Sequence, residues 1–290
     1  MLSVIVPTYN ERENIPELIE RTVRAFDRLS EPAELLVVDD DSPDGTADAL
    51  RAQAARRGEE HRVRVLVRRR ERGLATAVVA GFGAARGDVV AVMDADLSHP
   101  PEVLPDMLAA IRAGADIAVA SRYVPGGGTA GWPLLRRLIS RGACRLARGL
   151  TRVRDATSGF FALRREALSA LDIRPRGYKI GLEIFARLRD CRVTEVPFVF
   201  TDRRHGASKL SGSVMAAYLL QLAVLYKMRY PLSLGYVQFG VVGLLGMVVD
   251  GVVFGLAYHL LGLDGRGARY GGFVAQSLPF VGAAWIRLPV

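Results

Sequence analysis

Two cysteines stand in 290 residues, Cys144 and Cys191, far apart and without metal-ligand spacing. That argues against a disulfide scaffold or a zinc module and for free thiols in a reducing compartment. Lysine is nearly as scarce, with Lys179, Lys209 and Lys227 set against 36 arginines. No G-x-G-x-x-G follows the first apolar run, and no G-x-x-x-x-G-K-[ST] occurs anywhere. A dinucleotide dehydrogenase and a P-loop NTPase are therefore disfavoured. Zinc-finger and RNA-binding signatures are absent too, and the arginines are dispersed rather than gathered in a tail. The net charge of +9 thus fits anionic lipid or phosphate ligands, and no nucleic-acid partner is expected. The opening MLSVIVPTYNE has no charged lead, long apolar core or small-residue cleavage site, and it reads as a strand rather than a signal peptide.

What is present is alternation. Apolar, β-branched runs at 2–6, 34–39, 63–67, 88–93 and 115–120 predict strands. Amphipathic stretches near 13–28, 45–57, 74–86 and 101–113 predict the helices between them. Strand–helix–strand crossovers imply an α/β domain with a mostly parallel sheet. Ligands of such sheets sit beyond the carboxyl ends of the strands. PTYNE (7–11), DDDSPDG (39–45) and DADLSHP (94–100) all fall at those ends and are expected to converge.

From 126 to about 210 the pattern loosens. A PGGG loop (125–128) leads into a segment, 132–150, whose Arg137, Arg141, Arg145 and Arg148 share one helical face. Leucines supply the apolar side, so the segment reads either as a solvated surface helix or as a basic helix lying on a membrane. Residues 211–226 are nearly all apolar or small. Residues 236–263 carry one charge, Asp250, over 28 positions, longer than the roughly 20 residues that cross a hydrocarbon core. A second, shorter apolar stretch, 271–286, contains Pro279. A cationic globular part tied to an apolar tail predicts residence on the cytoplasmic, anionic face of a membrane.

Asp94 and Asp96 end an apolar strand with one alanine between them, so strand alternation turns both the same way. Two like charges held together call for a cation. Hard divalent ions take oxygen ligands, and Mg²⁺ commonly uses one or two carboxylates plus substrate phosphates. Ser98 is the next residue on the same alternation. Tyr9 offers a flat face for a base or ribose, and Glu11 can accept from amide or hydroxyl donors. Among Asp39, Asp40 and Asp41, turn and capping roles are expected of Asp41 and Ser42, which leaves an acid for ligand hydrogen bonding.

PTYNE, VVDDDSPDGT, DADLSHPP, ASRY (120–123), DATSGFFALRRE (155–166), GYKIGLEI (177–184) and RRHGASKL (203–210) occur in the order and spacing of glycosyltransferase family 2. Within it the chain resembles the dolichol- or polyprenol-phosphate mannosyltransferase branch, over roughly residues 2–230. The resemblance implies a GT-A fold, a sugar-nucleotide donor, a divalent metal and inversion at the anomeric carbon. It implies that Pro7, Tyr9, Glu11, Val38 and Asp40 hold the guanosine end of GDP-mannose. Asp94 and Asp96 would hold Mg²⁺ or Mn²⁺ against the diphosphate, with Ala95 presenting backbone and Ser98 at a third ligand position where some relatives carry Gln. Arg122, Lys179, Arg203 and Lys209 match positions that contact the phosphates. Arg136 or Arg137 is expected to receive the phosphate of a dolichyl or polyprenyl phosphate acceptor, and Glu183 to support the site from its helix. The catalytic set implied is Asp94, Asp96, Arg122, Arg203 and Lys209.

The organisation expected is a catalytic domain over 1–210, an interface helix and linker over 211–235, and a membrane segment over 236–290. The last resembles the start of a GtrA-type domain and looks incomplete beside that family's pattern. Alternatives are the same chemistry on another sugar nucleotide such as UDP-glucose, or a non-catalytic membrane scaffold or flippase partner. A processive synthase is disfavoured because no Q-x-x-R-W occurs.

Overall fold

A computed structural model describes residues 1–169, 179–201 and 212–231, together with scattered positions between 243 and 256. The chain divides into two compact units, Met1–Leu225 and Tyr226–Val290. The first unit is built on β1 (Leu2–Thr8), β2 (Ala33–Asp39), β3 (Val63–Val67), β4 (Val89–Val92), β5 (Ile117–Ser121), β6 (Gly128–Thr129), β7 (Phe161–Arg164), β8 (Val193–Pro197) and β9 (Val199–Phe200). Its helices are α1 (Ile15–Phe26), α2 (Thr46–Arg57), α3 (Leu74–Ala84), α4 (Leu104–Arg112), α5 (Leu134–Leu146), α6 (Arg165–Ser169) and α7 (Ile180–Arg187); α8 (Gly212–Arg229) follows.

Seven strands form one sheet in the order β3-β2-β1-β4-β7-β5-β8, parallel except for β7, which runs against both neighbours. The five strands expected from β-branched runs are all present, within two residues of their predicted ends. β1 and β2 are buried along their whole length, as a central parallel strand must be when helices cover both faces. One face carries Val4, Val6 and Leu35 against Ile15, Leu18, Leu50 and Leu104; the other carries Ile5, Val38 and Val92 against Val78, Phe82 and Phe185. Each such side chain contributes roughly 1.5–3 kcal/mol by leaving water. Helix α3 approaches so closely that a side chain at Gly81 would collide with Ile5.

β1 leads outward to β2 and β3, and the chain then crosses back to place β4 on the other side of β1. That reversal is the topological switch point where ligands of open α/β sheets bind. β7 adds to it: because it runs antiparallel, it begins at the edge where its neighbours end, bringing residues 155–160 to the ligand side.

The segment expected over 132–150 is helical over 134–146 and then tightens into a single 3₁₀ turn at Ala147–Gly149. Among the described residues no helix is long and apolar enough to cross a membrane. Most of the 236–263 stretch, all of 271–286, and Arg203 and Lys209 lie outside the described residues.

Candidate functional site

The loops after β1 and β2 are laced together by main-chain donors. Asn10 N donates to Ser42 Oγ at 3.0 Å, Glu11 N to Thr46 Oγ1 at 3.1 Å and Arg12 N to Asp44 Oδ2 at 3.1 Å. Asp41 sits in the turn at φ 53°, as expected, and Asp44 accepts from Thr46 N and Oγ1 at 2.9 and 2.6 Å just before α2. Ser42 instead donates to Asp39 Oδ1 at 2.6 Å. Asp40 has both oxygens engaged: Oδ1 accepts from Arg68 Nε at 2.8 Å and Oδ2 from Gly73 N at 2.7 Å. It therefore fixes the 68–73 loop as a wall of the cleft. Tyr9 is exposed on the same edge, with Arg72 lying 5.1 Å from its ring centroid. Glu11 accepts from Asn14 Nδ2 at 2.6 Å. Pro7 and Val38 end buried strands, and the Val38 side chain packs toward α3, so only the main chain of Val38 faces this edge.

Asp94, Ala95 and Asp96 lie beyond the end of β4, in a turn rather than on a strand. Leu97 at φ 60° reverses the chain there, a conformation that costs a leucine of order 1–3 kcal/mol and persists because the surroundings impose it. Strand alternation is thus not what orients the pair. Ser98 donates from Oγ and N to Asp96 Oδ1, at 2.5 and 3.1 Å. Asp94 N donates to His99 Nδ1 at 3.1 Å. Burial pushes the His99 imidazole down toward its neutral form against the pull of Asp94 and Asp96, which suits an accepting Nδ1. The ring is clamped by Phe160, stacked at 5.3 Å, and Phe198, edge-on at 6.0 Å.

Arg122 makes a fork-to-fork pair with buried Asp155: Nε to Oδ2 at 2.7 Å and Nη2 to Oδ1 at 2.6 Å. Nη2 also reaches Thr157 Oγ1 at 2.8 Å, and Tyr123, Trp132 and Phe200 surround the guanidinium. Burial alone would raise Asp155, yet the Arg122 bonds outweigh it and hold the carboxyl below its usual range. Lys179 Nζ donates to Thr157 O at 3.0 Å; desolvation pushes its amine down, against the attraction of Asp94.

Arg122, Thr157 and Lys179, together with the turn after β4, line a cavity of about 260 Å³. Asp94, Ser98, His99, Arg136 and Lys179 give it a charged, hydrogen-bonding end, while Trp132, Ile139, Phe198, Phe200, Val214 and Met215 make the rest apolar. Arg136 lies 3.9 Å above the Trp132 ring and faces this cavity, whereas Arg137 points outward and is exposed. α8 closes the site through Tyr218 Oη, donating to Ala143 O at 2.8 Å, and Gln221 Nε2, donating to Lys179 O at 3.0 Å. Glu183 accepts from Arg187 at 3.0 Å within α7 and stays clear of the cavity wall.

Two carboxylates and a hydroxyl are hard oxygen donors of the kind Mg²⁺ and Mn²⁺ take. No group of three or more His, Cys, Asp and Glu side chains forms a metal cage among the described residues. The donor set therefore fits an ion whose remaining ligands come from phosphate and water.

Of the residues singled out in the sequence, Asp94, Ser98, Arg122, Arg136 and Lys179 are brought to one cavity, with Asp96 behind Ser98; His99, Asp155 and the aromatic wall were not among them. DADLSHPP and DATSGFF contain the first two, and the antiparallel β7 brings Phe160 of the second motif onto the His99 ring. A Cβ at Gly159 would sit 3.3 Å from His99 Cε1, so that the ring would have to yield by a few tenths of an ångström.

The model of the family described as "Glycosyl transferase family 2" matches residues 3–172. A dolichol-phosphate mannosyltransferase of Pyrococcus furiosus is 45% identical over 253 residues, covering 86% of this chain and 70% of that protein. The Saccharomyces cerevisiae dolichol-phosphate mannosyltransferase is 42% identical, covering 79% of this chain and 88% of its own. The polyprenol monophosphomannose synthase of Mycolicibacterium smegmatis is 42% identical, covering 76% and 84%. Among solved structures, glucosyl-3-phosphoglycerate synthase from Mycobacterium tuberculosis, in complex with Mn²⁺, UDP-glucose and phosphoglyceric acid, superposes with a TM-score of 0.59 at 23% identity, covering 79% of each chain. That likeness concerns the fold, a GT-A-like α/β arrangement. With ordered motifs, a switch-point cleft and relatives above 40% identity in agreement, the chain belongs to glycosyl transferase family 2 and is a glycosyltransferase.

Proposed function

We propose that the protein transfers mannose from GDP-mannose to a dolichyl or polyprenyl phosphate at the cytoplasmic face of a membrane, with inversion at the anomeric carbon. The observation that carries this reading is the two-ended cavity: a lipid phosphate has one charged end and one apolar end, and the space lined by α5, α8 and Lys179 offers cationic, hydrogen-bonding groups at one end and apolar side chains at the other. The names of the relatives point the same way.

The guanosine would lie across the edge made by Pro7, Tyr9, Glu11, Val38 and Asp40, its ring on the free face of Tyr9. Asp94 and Asp96 would hold Mg²⁺ or Mn²⁺ with Ser98 orienting Asp96; bound there, the ion neutralises charge growing on the departing diphosphate. Lys179 supplies positive charge from the other side, and Arg203 and Lys209 are assigned the same task. Arg136 receives the acceptor phosphate. One of its oxygens attacks the anomeric carbon as the bond from that carbon to the GDP oxygen breaks, and GDP leaves with the electron pair. The second pKa of a phosphate monoester is about 6, so the nucleophile is ionised near neutrality and needs no general base. Arg122, held by Asp155, is placed as a rigid cationic floor. The apolar 236–263 stretch is proposed to anchor the domain, with 211–235 linking the two.

Membranes containing the full chain, supplied with polyprenyl phosphate and either Mg²⁺ or Mn²⁺, should form labelled lipid from radiolabelled GDP-mannose and little from UDP-glucose. A preference for UDP-glucose would reassign the donor. Absence of metal-dependent labelled lipid with every donor would sink the reading.

A further inference from the structure

Arginines on this protein fall into two populations. Arg21, Arg24, Arg51, Arg57, Arg62, Arg64, Arg68 and Arg112 each have a carboxylate oxygen within 2.8 Å. From Ile117 to Arg154 the chain holds Arg122, Arg136, Arg137, Arg141, Arg145, Arg148, Arg152 and Arg154, and no Asp or Glu at all. Four of these converge. Arg141, Arg145 and Arg148 follow one another along the outer side of α5 and its 3₁₀ extension, and Arg154 meets them from the next loop around an open cleft of about 770 Å³. Among the described residues none of the four has an ion-pair partner; Arg141 alone is braced, 5.9 Å from the Tyr123 ring centroid.

Proximity to a helix C-terminus accounts for Arg145 and Arg148, since cations there complement the helix dipole. It does not account for Arg141 or Arg154. The nearest carboxylates are engaged elsewhere, Glu195 accepting from Arg154 N and Asp155 from Arg122, so the four guanidinium groups repel one another and an anion placed among them removes that repulsion. Arginine's planar fork suits phosphate oxygens in particular. The same helix exposes Leu134, Leu135, Leu138 and Leu146, each more than half accessible, and Leu138 lines the cleft. A phosphate group with acyl chains attached matches both halves, which an acidic peptide or a free anion does not.

We propose that this cleft is a headgroup site for an anionic phospholipid of the bilayer, a second site beside the acceptor cavity, with Arg122 as the wall between them. The proposal rests on the membrane placement given above. It adds an orientation: Arg136 faces the inner cavity while Arg141, Arg145 and Arg148 face the outer cleft, so a lipid in the cleft registers α5 at the membrane with the acceptor cavity beside it.

The test uses the full chain in non-ionic detergent, supplied with equal amounts of phosphatidylglycerol and phosphatidylcholine, the retained lipids being counted by native mass spectrometry. The wild type should retain phosphatidylglycerol preferentially. Arg145→Gln/Arg148→Gln/Arg154→Gln should lower that retention about 100-fold, each basic contact near a surface being worth roughly a factor of five. Arg24→Gln/Arg51→Gln/Arg56→Gln removes the same charge elsewhere and should change it little. Equal retention of both lipids by the wild type overturns the proposal, as does equal loss in the two triple variants. Displacement of the lipid by equimolar inorganic phosphate or by a polyglutamate peptide also overturns it, by making the cleft a free-anion or protein site. Turnover of labelled GDP-mannose in the same micelles reports separately on the transferase reading, and the cleft variant should keep it.

Discussion

Two acidic turns sit at the ligand edge, one after β2 and one after β4, and they are built on opposite plans. In the first, Asp39 and Asp40 are satisfied by the protein's own donors, Ser42, Thr8, Arg68 and Gly73. In the second, Asp96 is steadied by Ser98 and Asp94 is held through its main chain by His99, which leaves the Asp94 carboxylate facing a cavity. The difference separates carboxylates whose oxygens the protein itself takes up from one left facing the cavity. An acid whose oxygens are taken by guanidinium and backbone N–H groups rigidifies a wall. An acid oriented through its backbone keeps its charge available.

Substitutions should separate the two plans. Asp94→Asn, on the acting side, should lower turnover by about 10³-fold or more, as removal of a preorganised charge does, with an unchanged urea midpoint. A midpoint shift matching the activity loss would make Asp94 structural. Next in size is Asp155→Asn, which leaves Arg122 buried without its partner and should destabilise the fold by about 3–5 kcal/mol near neutrality. Because the folded pKa of Asp155 is depressed, its contribution is full above the ordinary aspartate value of about 3.9 and is lost as pH falls through the lower folded value. The gap between wild type and variant in urea should therefore narrow only in strong acid; a gap independent of pH would contradict the charged pair.

His99 lies between the plans. His99→Phe should reduce kcat about 10–100-fold and raise the metal concentration needed for half-activity, as loss of an orienting partner does. His99→Asn, whose Oδ1 can accept where Nδ1 did, should recover most of it; failure of that rescue would leave the ring's packing as its only role. The smallest effect is expected at Asp40→Asn on the wall-building side. Loosening the 68–73 loop should raise the donor KM about tenfold with little change in kcat. A fall in kcat comparable to that of Asp94→Asn would erase the distinction.

The legibility of the sequence follows the same line. β1 to β5 and the helices between them were readable because each is a local pattern, an apolar run or a helical stripe. Asp94 and Asp96 stood out because two like charges just past an apolar run are a local pattern, whereas the turn that orients them, with Leu97 at φ 60°, is not. The Arg122–Asp155 pair was not, since it joins residues 33 positions apart and depends on a strand running against its neighbours. β7 runs only from Phe161 to Arg164, and β8 is mostly part-exposed, so neither shows the long apolar run that marks β1 and β2. Arg136 and Arg137 are indistinguishable in composition, and only the phase of α5 turns one inward and the other to solvent.

That reversed strand has a consequence for the protein's birth on the ribosome. β4 and β5 are consecutive in the chain but not neighbours in the sheet; β7 must enter between them. When Ser121 has been synthesised, β5 is a run of apolar residues with neither flanking strand yet made, and 43 further residues must appear before β7 is complete at Arg164. At about 5–20 residues per second that interval is roughly 2–9 s. During it an unpaired, apolar strand is open to association with other nascent chains. Substitutions in residues 122–160 that slow the arrival of β7 should thus first be seen as lower yield of soluble protein, before any change in the activity of the molecules that finish folding.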